Sequence, residues 1–101
     1  MLVRFEWDED KAKANLKKHK VSFDEASTVF SDALAYIFDD EEHSAEDENR
    51  EIIIGHSMHN RLLLVSFVER IIEVIRIISA RRATKKERRK YEEHANSQSP
   101  P

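Results

Sequence analysis

Residues 51–79 read EIIIGHSMHNRLLLVSFVERIIEVIRIIS, and this stretch decides the fold. It contains three runs rich in Ile, Leu and Val, at residues 51–57, 62–68 and 71–79. Runs of this composition predict β-strands. The links at 58–61 and 69–70 are too short to hold crossover helices, so neighbouring strands must run antiparallel. The stretch therefore predicts a three-stranded antiparallel meander.

Helix signals stand on both sides of the meander. Asp8 is a good N-cap for a first helix, because its side chain can accept a hydrogen bond from a free amide of the first turn. Ser22 and Thr84 each stand three residues before a glutamate, and this capping-box pattern predicts two further helices. The predicted helices cover residues 9–19, 22–30 and 84–93.

The whole set of elements predicts an α+β fold in the order β-α-α-β-β-β-β-α. Short strands are predicted at residues 3–7 and 34–39, and the polar stretch 40–49 predicts a loop. We expect the helices to pack on one face of a mostly antiparallel sheet, with the other face partly open for function. Residues 1–94 would form a single domain, followed by a disordered tail at 95–101.

Composition excludes several classes of protein. The chain has 101 residues and no cysteine, so disulfides and thiolate metal sites are excluded. Its longest apolar run, residues 62–68, is far too short to span a membrane. Acidic residues follow the N-terminus too closely for a signal peptide. We therefore expect a cytoplasmic protein with no membrane association.

Charge is distributed unevenly along the chain. Residues 81–90 hold seven basic residues and one acid, whereas residues 39–51 hold eight acids and one arginine. A local basic cluster can bind an anion even though the net charge is −3, since fields are screened over about 10 Å. The alternative is an ordinary solvated helix face. The acidic stretch lacks EF-hand spacing and predicts a solvated charge run, with no metal site.

Arg76 is the most informative single residue. In the predicted strand it shares a face with Ile72, Val74 and Ile78, where alternation predicts another aliphatic side chain. An arginine on that face either snorkels to the edge of the sheet or meets an anion. We expect Arg76 to meet an anion, with snorkelling as the alternative.

Other residues are candidates to act with Arg76. Arg81, just past the predicted strand, and Arg88 on the third helix are expected to converge with it on one phosphate, which a guanidinium binds through two parallel hydrogen bonds. Tyr91 follows Arg88 by three residues, on the same helix face. His19 lies on the apolar stripe of the first helix, where a buried structural histidine is the alternative to a proton-transfer residue.

Two separated motifs resemble the BrnT family. The first comprises Phe5-Glu6-Trp7-Asp8, Lys11-Ala12, Asn15, Lys18-His19, Val21-Ser22-Phe23 and Glu25-Ala26. The second comprises Arg76-Ile77-Ile78-Ser79-Ala80-Arg81, Ala83, Glu87-Arg88 and Tyr91. The resemblance extends over nearly the whole chain. Because two separated motifs match in order, coincidence does not explain it.

The resemblance implies a function. BrnT-like proteins are toxins of bacterial type II toxin–antitoxin pairs, with a RelE-like fold and an endoribonuclease activity that cleaves mRNA and arrests growth. The implied partner is a BrnA-like antitoxin of the ribbon-helix-helix type, through which the complex contacts operator DNA. No cofactor or metal is implied. The alternatives are a non-catalytic nucleic-acid-binding regulator and an inactive toxin homologue.

The expected site residues follow from the charge pattern and the resemblance together. The residues expected to take part in cleavage are Lys18, His19, Arg50, Arg76, Arg81 and Tyr91. The residues expected to bind RNA are Lys11, Arg82, Lys85 and Arg88.

This chain departs from the family at three turns. Where the family often has glycine, it carries Lys20, Asn60 and the pair Glu69-Arg70. Each departure costs about 1 kcal/mol wherever the left-handed backbone is kept.

Overall fold

The chain folds as a five-stranded sheet with three α-helices among the described residues. The structure is a computed structural model, and it describes residues 3–44 and 48–98. In chain order the elements are β1 (Arg4–Glu6), α1 (Glu9–His19), α2 (Phe23–Thr28), a 3₁₀ turn (Val29–Ser31), β2 (Tyr36–Asp39), a 3₁₀ turn (Glu41–His43), β3 (Arg50–His56), β4 (Leu62–Ile71), β5 (Val74–Arg82) and α3 (Lys85–Gln98). The predicted α+β class with a mostly antiparallel sheet is confirmed. Three residues of the predicted acidic loop, 45–47, lie outside the described residues.

The meander forms the centre of the sheet. The strand order is β1-β5-β4-β3-β2, with β3, β4 and β5 paired antiparallel as predicted. Strand β1 is parallel to β5 and covers only its first residues, Val74 to Arg76. The remaining length of β5 therefore forms an edge of the sheet, and this edge becomes important at the site.

The hairpin between β4 and β5 differs from the prediction. Strand β4 continues through the predicted turn at Glu69 and Arg70 to Ile71, so the chain reverses at Ile72 and Glu73. Glu73 adopts φ 70°, and its N–H donates to Glu69 Oε2 at 3.1 Å. The predicted turn was wrong because backbone pairing, rather than polarity, determines where the strand ends.

Helices pack on both faces of the sheet, which corrects the prediction that they share one face. Along β4, Leu63 and Val65 point into a core beneath α1 and α2. The alternate residues Leu62 and Leu64 pack against Tyr91 of α3 on the opposite face. The uninterrupted apolar run of β4 is typical of a strand that is buried on both sides.

Helix α3 is longer than predicted. It extends to Gln98, so residues 95–98 of the predicted tail are helical, and that prediction was wrong there. Ala95 follows Tyr91 by four residues and packs in the same apolar cluster, which holds the last turns on the sheet. Residues 99–101 lie outside the described part of the chain. None of the helices described is long and apolar enough to cross a bilayer.

The predicted N-caps are confirmed. Two of the three turns in which this chain lacks the family's usual glycine have a residue with left-handed backbone. Asp8 accepts a hydrogen bond from the N–H of Lys11 at 3.0 Å. Ser22 accepts one from the N–H of Glu25 at 3.0 Å. Lys20 ends α1 with φ 60°, and Asn60 in the β3–β4 turn has φ 57°. Both lie in the left-handed region that favours glycine.

Asn15 fixes α1 to the uncovered edge of β5. Its Nδ2 donates to the carbonyl oxygens of Ala80, at 2.8 Å, and Val21, at 3.0 Å. Its Oδ1 accepts from the N–H of Ala80 at 3.1 Å. Since Asn15 is only one turn before the end of α1, this contact holds Lys18 and His19 close to the C-terminal part of β5.

Candidate nucleic-acid interface

A β-bulge in β5 determines which side chains face the uncovered part of the sheet. Ser66 pairs with Ser79, but the next residue, Phe67, pairs with Ile77. Ile78 is thus an extra residue in β5 with no counterpart in β4. Because side chains alternate along a strand, one extra residue reverses the facing of every residue after it.

The bulge brings two of the predicted arginines onto one face. Ile77 and Ala80 are three residues apart, yet both lie in the core beneath α1 and α2. Arg76 and Arg81, five residues apart, consequently both face the side of the sheet that carries α3. Regular alternation would have placed them on opposite faces.

A cleft of about 410 Å³ lies on this face, and we call it the sheet cleft. Three of the predicted site residues line it together: His19 from the end of α1, Arg50 from β3 and Arg81 from β5. Its remaining lining residues are Asp40, Glu42, His43, Ile52, Leu64, Ser66, Ile78, Ser79 and Ala80. Arg76 lies on the same face without lining the cleft.

One side of the sheet cleft is acidic. Asp40 and Glu42 stand on this side, where Asp40 contacts the Nδ1 atom of His43 at 3.0 Å. These carboxylates repel phosphate, so an anion is more easily accommodated on the β5 side. Within residues 3–44 and 48–98, no three His, Asp or Glu side chains are grouped so as to hold a metal ion.

The three site arginines Arg50, Arg76 and Arg81 are each paired with a carboxylate. Arg76 Nη1 lies 2.7 Å from Glu6 Oε2, and Arg50 Nε lies 3.4 Å from Glu48 Oε1. The Glu6 and Glu48 side chains are 44% and 40% exposed. Exposed pairs of this kind contribute at most about 1 kcal/mol, so a phosphate can displace these carboxylates.

Arg81 is held more firmly. It donates two hydrogen bonds to the carboxylate of Glu87, at 2.8 and 2.9 Å. The Arg81 guanidinium is the main reason that the pKa of Glu87 falls to about 2. The same hydrogen bonds raise the pKa of Arg81 above its ordinary value. Glu87 also accepts from the N–H of Thr84 at 2.8 Å, as the predicted capping box requires.

A second cleft, of about 320 Å³, lies at the end of β5, and we call it the terminal cleft. It is lined by Asn60, Arg61, Leu62, Arg82, Ala83 and Arg88. Within the described part of the chain, the guanidinium groups of Arg82 and Arg88 form no hydrogen bond or ion pair. Arg61, by contrast, is bonded to Glu25 and to the carbonyl oxygen of Lys20.

The three arginines that were expected to converge on one phosphate do not line a common cleft. Arg81 lines the sheet cleft, Arg88 lines the terminal cleft, and Arg76 lines neither. The exposed side chains of Lys11, Lys18 and Lys85 also line neither cleft.

Tyr91, one of the residues expected to take part in cleavage, is buried, so its ring is not available to stack on a base. Its ring is 6% exposed, and its hydroxyl donates to Asp32 Oδ2 at 2.8 Å. The same hydroxyl lies 3.1 Å from His56 Nδ1. Burial, and then the hydrogen bond to Asp32, raise the pKa of Tyr91 to about 12, so its proton is tightly held. Tyr91 therefore fixes α3 to the sheet.

Asp32 is the centre of this partly buried network. Burial by itself raises the pKa of Asp32, but hydrogen bonds from the N–H groups of His56 and Leu34 outweigh burial and lower it. Both of these bonds measure 2.9 Å. Neither Asp32 nor the pairing of Glu87 with Arg81 was predicted. The capping box of Glu87 was visible in the sequence, whereas nothing local marked Asp32.

Comparison with known proteins agrees with this structure. The profile of a family described as "Ribonuclease toxin, BrnT, of type II toxin-antitoxin system" matches residues 7–87. No curated protein matches the chain significantly. Among solved structures, the Brucella abortus ribonuclease toxin BrnT superposes with a TM-score of 0.62 at 26% identity, covering 82% of this chain and 99% of that one. The chain therefore belongs to the BrnT family of ribonuclease toxins from type II toxin–antitoxin systems.

Proposed function

We propose that this toxin is a cytoplasmic, metal-independent endoribonuclease of RelE-like fold that cleaves mRNA and inhibits growth. A BrnA-like ribbon-helix-helix antitoxin neutralises it, and operator DNA is contacted only through that complex. The observation that carries the proposal is the convergence of His19, Arg50 and Arg81 on the sheet cleft, with Arg76 on the same face.

Cleavage in this proposal uses the ribose 2′-hydroxyl as the nucleophile. The 2′-oxygen attacks the adjacent phosphorus, the bond from phosphorus to the 5′-oxygen breaks, and protons leave the first oxygen and reach the second. The protein must orient this attack, stabilise the added negative charge and move the protons. Side chains of the sheet-cleft face supply each of these functions.

The arginines bind the phosphate that is cleaved. Arg50 and Arg81 reach it from β3 and β5, with Arg76 adding positive charge from the same face. His19, half-buried at the rim, transfers protons, since an imidazole ring carries one nitrogen that can donate a proton and one that can accept it. Lys18 precedes it on α1 and contributes positive charge. Glu6 pairs with Arg76, and Glu48 pairs with Arg50, until the phosphate displaces these carboxylates.

Arg76→Ala tests the proposal with the toxin purified away from its antitoxin. We expect this variant to lose RNA cleavage while retaining the helix content of the wild type in circular dichroism. Arg89→Ala is the matched control, because Arg89 is exposed on α3 and lines neither cleft. Cleavage by Arg76→Ala at the wild-type rate would contradict the assignment.

The same preparation separates the enzyme from its alternatives. Cleavage that continues in EDTA supports a metal-independent reaction. RNA binding without cleavage, with or without magnesium, would instead indicate a regulator or an inactive homologue. Growth arrest on induction, relieved by co-expression of a ribbon-helix-helix partner, tests the toxin–antitoxin relationship.

A further inference from the structure

The two clefts meet at consecutive residues of one strand. Arg81 lines the sheet cleft and Arg82 lines the terminal cleft, and their Cα atoms are about 3.8 Å apart. Side chains of neighbouring strand residues point to opposite sides, so the end of β5 presents one guanidinium to each cleft. A flexible chain of anions that crosses this strand end meets both arginines in succession.

The terminal cleft has the chemistry of a phosphate site. Arg82 and Arg88 are exposed, and within the residues described their guanidinium groups have no internal carboxylate partner. This distinguishes them from Arg50, Arg76 and Arg81, whose charges are already balanced. Two unbalanced guanidinium groups on one concave surface attract an anion and bind phosphate oxygens through charge-assisted hydrogen bonds.

The other residues of the terminal cleft leave the phosphate to Arg82 and Arg88. Leu62, which is almost fully buried, and the partly buried Ala83 line the cleft together with the exposed Asn60. Arg61 is held in place by Glu25, so it forms a wall. The cleft thus offers two guanidinium groups for one phosphate.

We infer that the terminal cleft binds the phosphate next to the one that is cleaved, so that the preferred substrate is a single RNA strand with at least two successive phosphates across the end of β5. This inference rests on the proposed function, because it takes the sheet cleft as the place of cleavage. It identifies Arg82 and Arg88 as substrate-binding residues that favour longer RNA over a dinucleotide.

The first test compares substrates that differ by one phosphate. The probes are an RNA dinucleotide with a single phosphodiester and the same dinucleotide extended by one nucleotide at its 5′ or 3′ end. For the wild type we expect kcat/KM to rise about tenfold or more for one of the two extended substrates, the effect of one charge-assisted contact. Equal kcat/KM for all three would overturn the inference.

The second test removes the two cations. In the double variant Arg82→Gln and Arg88→Gln, we expect the ratio of kcat/KM for the extended substrate over the dinucleotide to fall toward one. Arg89→Gln, which removes a cation of α3 outside both clefts, keeps the wild-type ratio. An unchanged ratio in the double variant would contradict the inference.

A binding measurement is independent of catalysis. Fluorescence anisotropy of a labelled single-stranded RNA gives log Kobs as a function of log salt concentration, with a slope of about −0.7 for each phosphate contacted. Loss of one phosphate contact in the double variant reduces this slope by about 0.7, and Arg89→Gln leaves it unchanged. If the slopes of the wild type and the double variant differ in this way but the wild type cleaves no RNA, the proposed function fails while the phosphate site stands.

Discussion

The substitution Tyr91→Phe removes one hydroxyl from the core between α3 and the sheet. The ring keeps its packing against Ile54, Leu62 and Leu64, so only the hydrogen bonds change. Asp32 loses the 2.8 Å bond from the hydroxyl and keeps its bonds from two backbone N–H groups. The variant therefore removes the hydrogen bond to the partly buried Asp32 carboxylate together with the contact to His56 Nδ1.

The size of the effect follows from the kind of bond that is lost. A hydrogen bond to a charged group contributes roughly 1.5–3 kcal/mol. The rise in the pKa of Tyr91 to about 12 is caused first by burial, so it does not measure this bond. We expect Tyr91→Phe to lower the free energy of unfolding at pH 7 by about 2 kcal/mol, measured by urea denaturation.

The pH dependence of stability provides a further check. Because the folded-state pKa of Tyr91 is raised, its stabilisation is complete below pH 10 and is lost as the pH rises toward about 12. The wild type should lose stability in this window, and Tyr91→Phe should lose less. Tyr36→Phe is the matched control, since the Tyr36 hydroxyl has no hydrogen-bond partner among the described residues.

The outcome also decides what Tyr91 does in the reaction. If Tyr91 acts only through the fold, Tyr91→Phe cleaves RNA at nearly the wild-type rate per folded molecule. An unchanged free energy of unfolding, or a loss of cleavage of more than about tenfold in folded protein, would refute the structural assignment.

Three further substitutions test other features of the structure. Glu87→Gln keeps a hydrogen-bond acceptor for the cap and loses the charge. We expect the free energy of unfolding at pH 7 to fall by about 1–2 kcal/mol, which is less than the whole pKa shift of Glu87 corresponds to, because Arg81 is partly exposed. Because the pKa of Glu87 is depressed, its carboxylate stabilises the wild type fully above about pH 4.5, and this stabilisation is lost as the pH falls toward 2. In urea denaturation at pH 3, the free energies of unfolding of the wild type and Glu87→Gln should therefore differ less than at pH 7. Lys20→Gly relieves the φ of 60° and should raise Tm by about 4–8 °C in a thermal scan, from a gain of about 1 kcal/mol. Gly55→Ala would place a Cβ 3.0 Å from a Val29 methyl group and 3.2 Å from Asp32 Oδ2, so we expect a loss of about 1–3 kcal/mol in urea denaturation.

Local signals in the sequence were sufficient to predict where helices begin. Asp8 and Ser22 each have a side chain that accepts a hydrogen bond from its own first turn, a feature that depends on nearby residues alone. The end of α3 was not predicted, because Ala95 is held by the opposite face of the sheet. The β4–β5 turn was misplaced for a similar reason, since Glu69 is polar yet remains paired within the strand.

The candidate site was predicted in part. The charge pattern and the family resemblance together singled out His19, Arg50 and Arg81, and the structure brings them to one cleft. Their meeting depends on the bulge at Ile78, which arises from the register between two strands and leaves no mark in the sequence. Alternation without the bulge places Arg76 and Arg81 on opposite faces, so counting residues alone does not recover this surface.

The side-chain amide of Asn15 has a consequence for solubility. It occupies both the N–H and the carbonyl of Ala80, groups that a strand at the border of a sheet otherwise offers to any extended peptide. The side chain of Asn15 thus forms the hydrogen bonds that a neighbouring strand would otherwise form, and it blocks intermolecular pairing at that position. Replacing it leaves an open template on a strand rich in isoleucine, and the protein would then be prone to self-association and fibril-like aggregation.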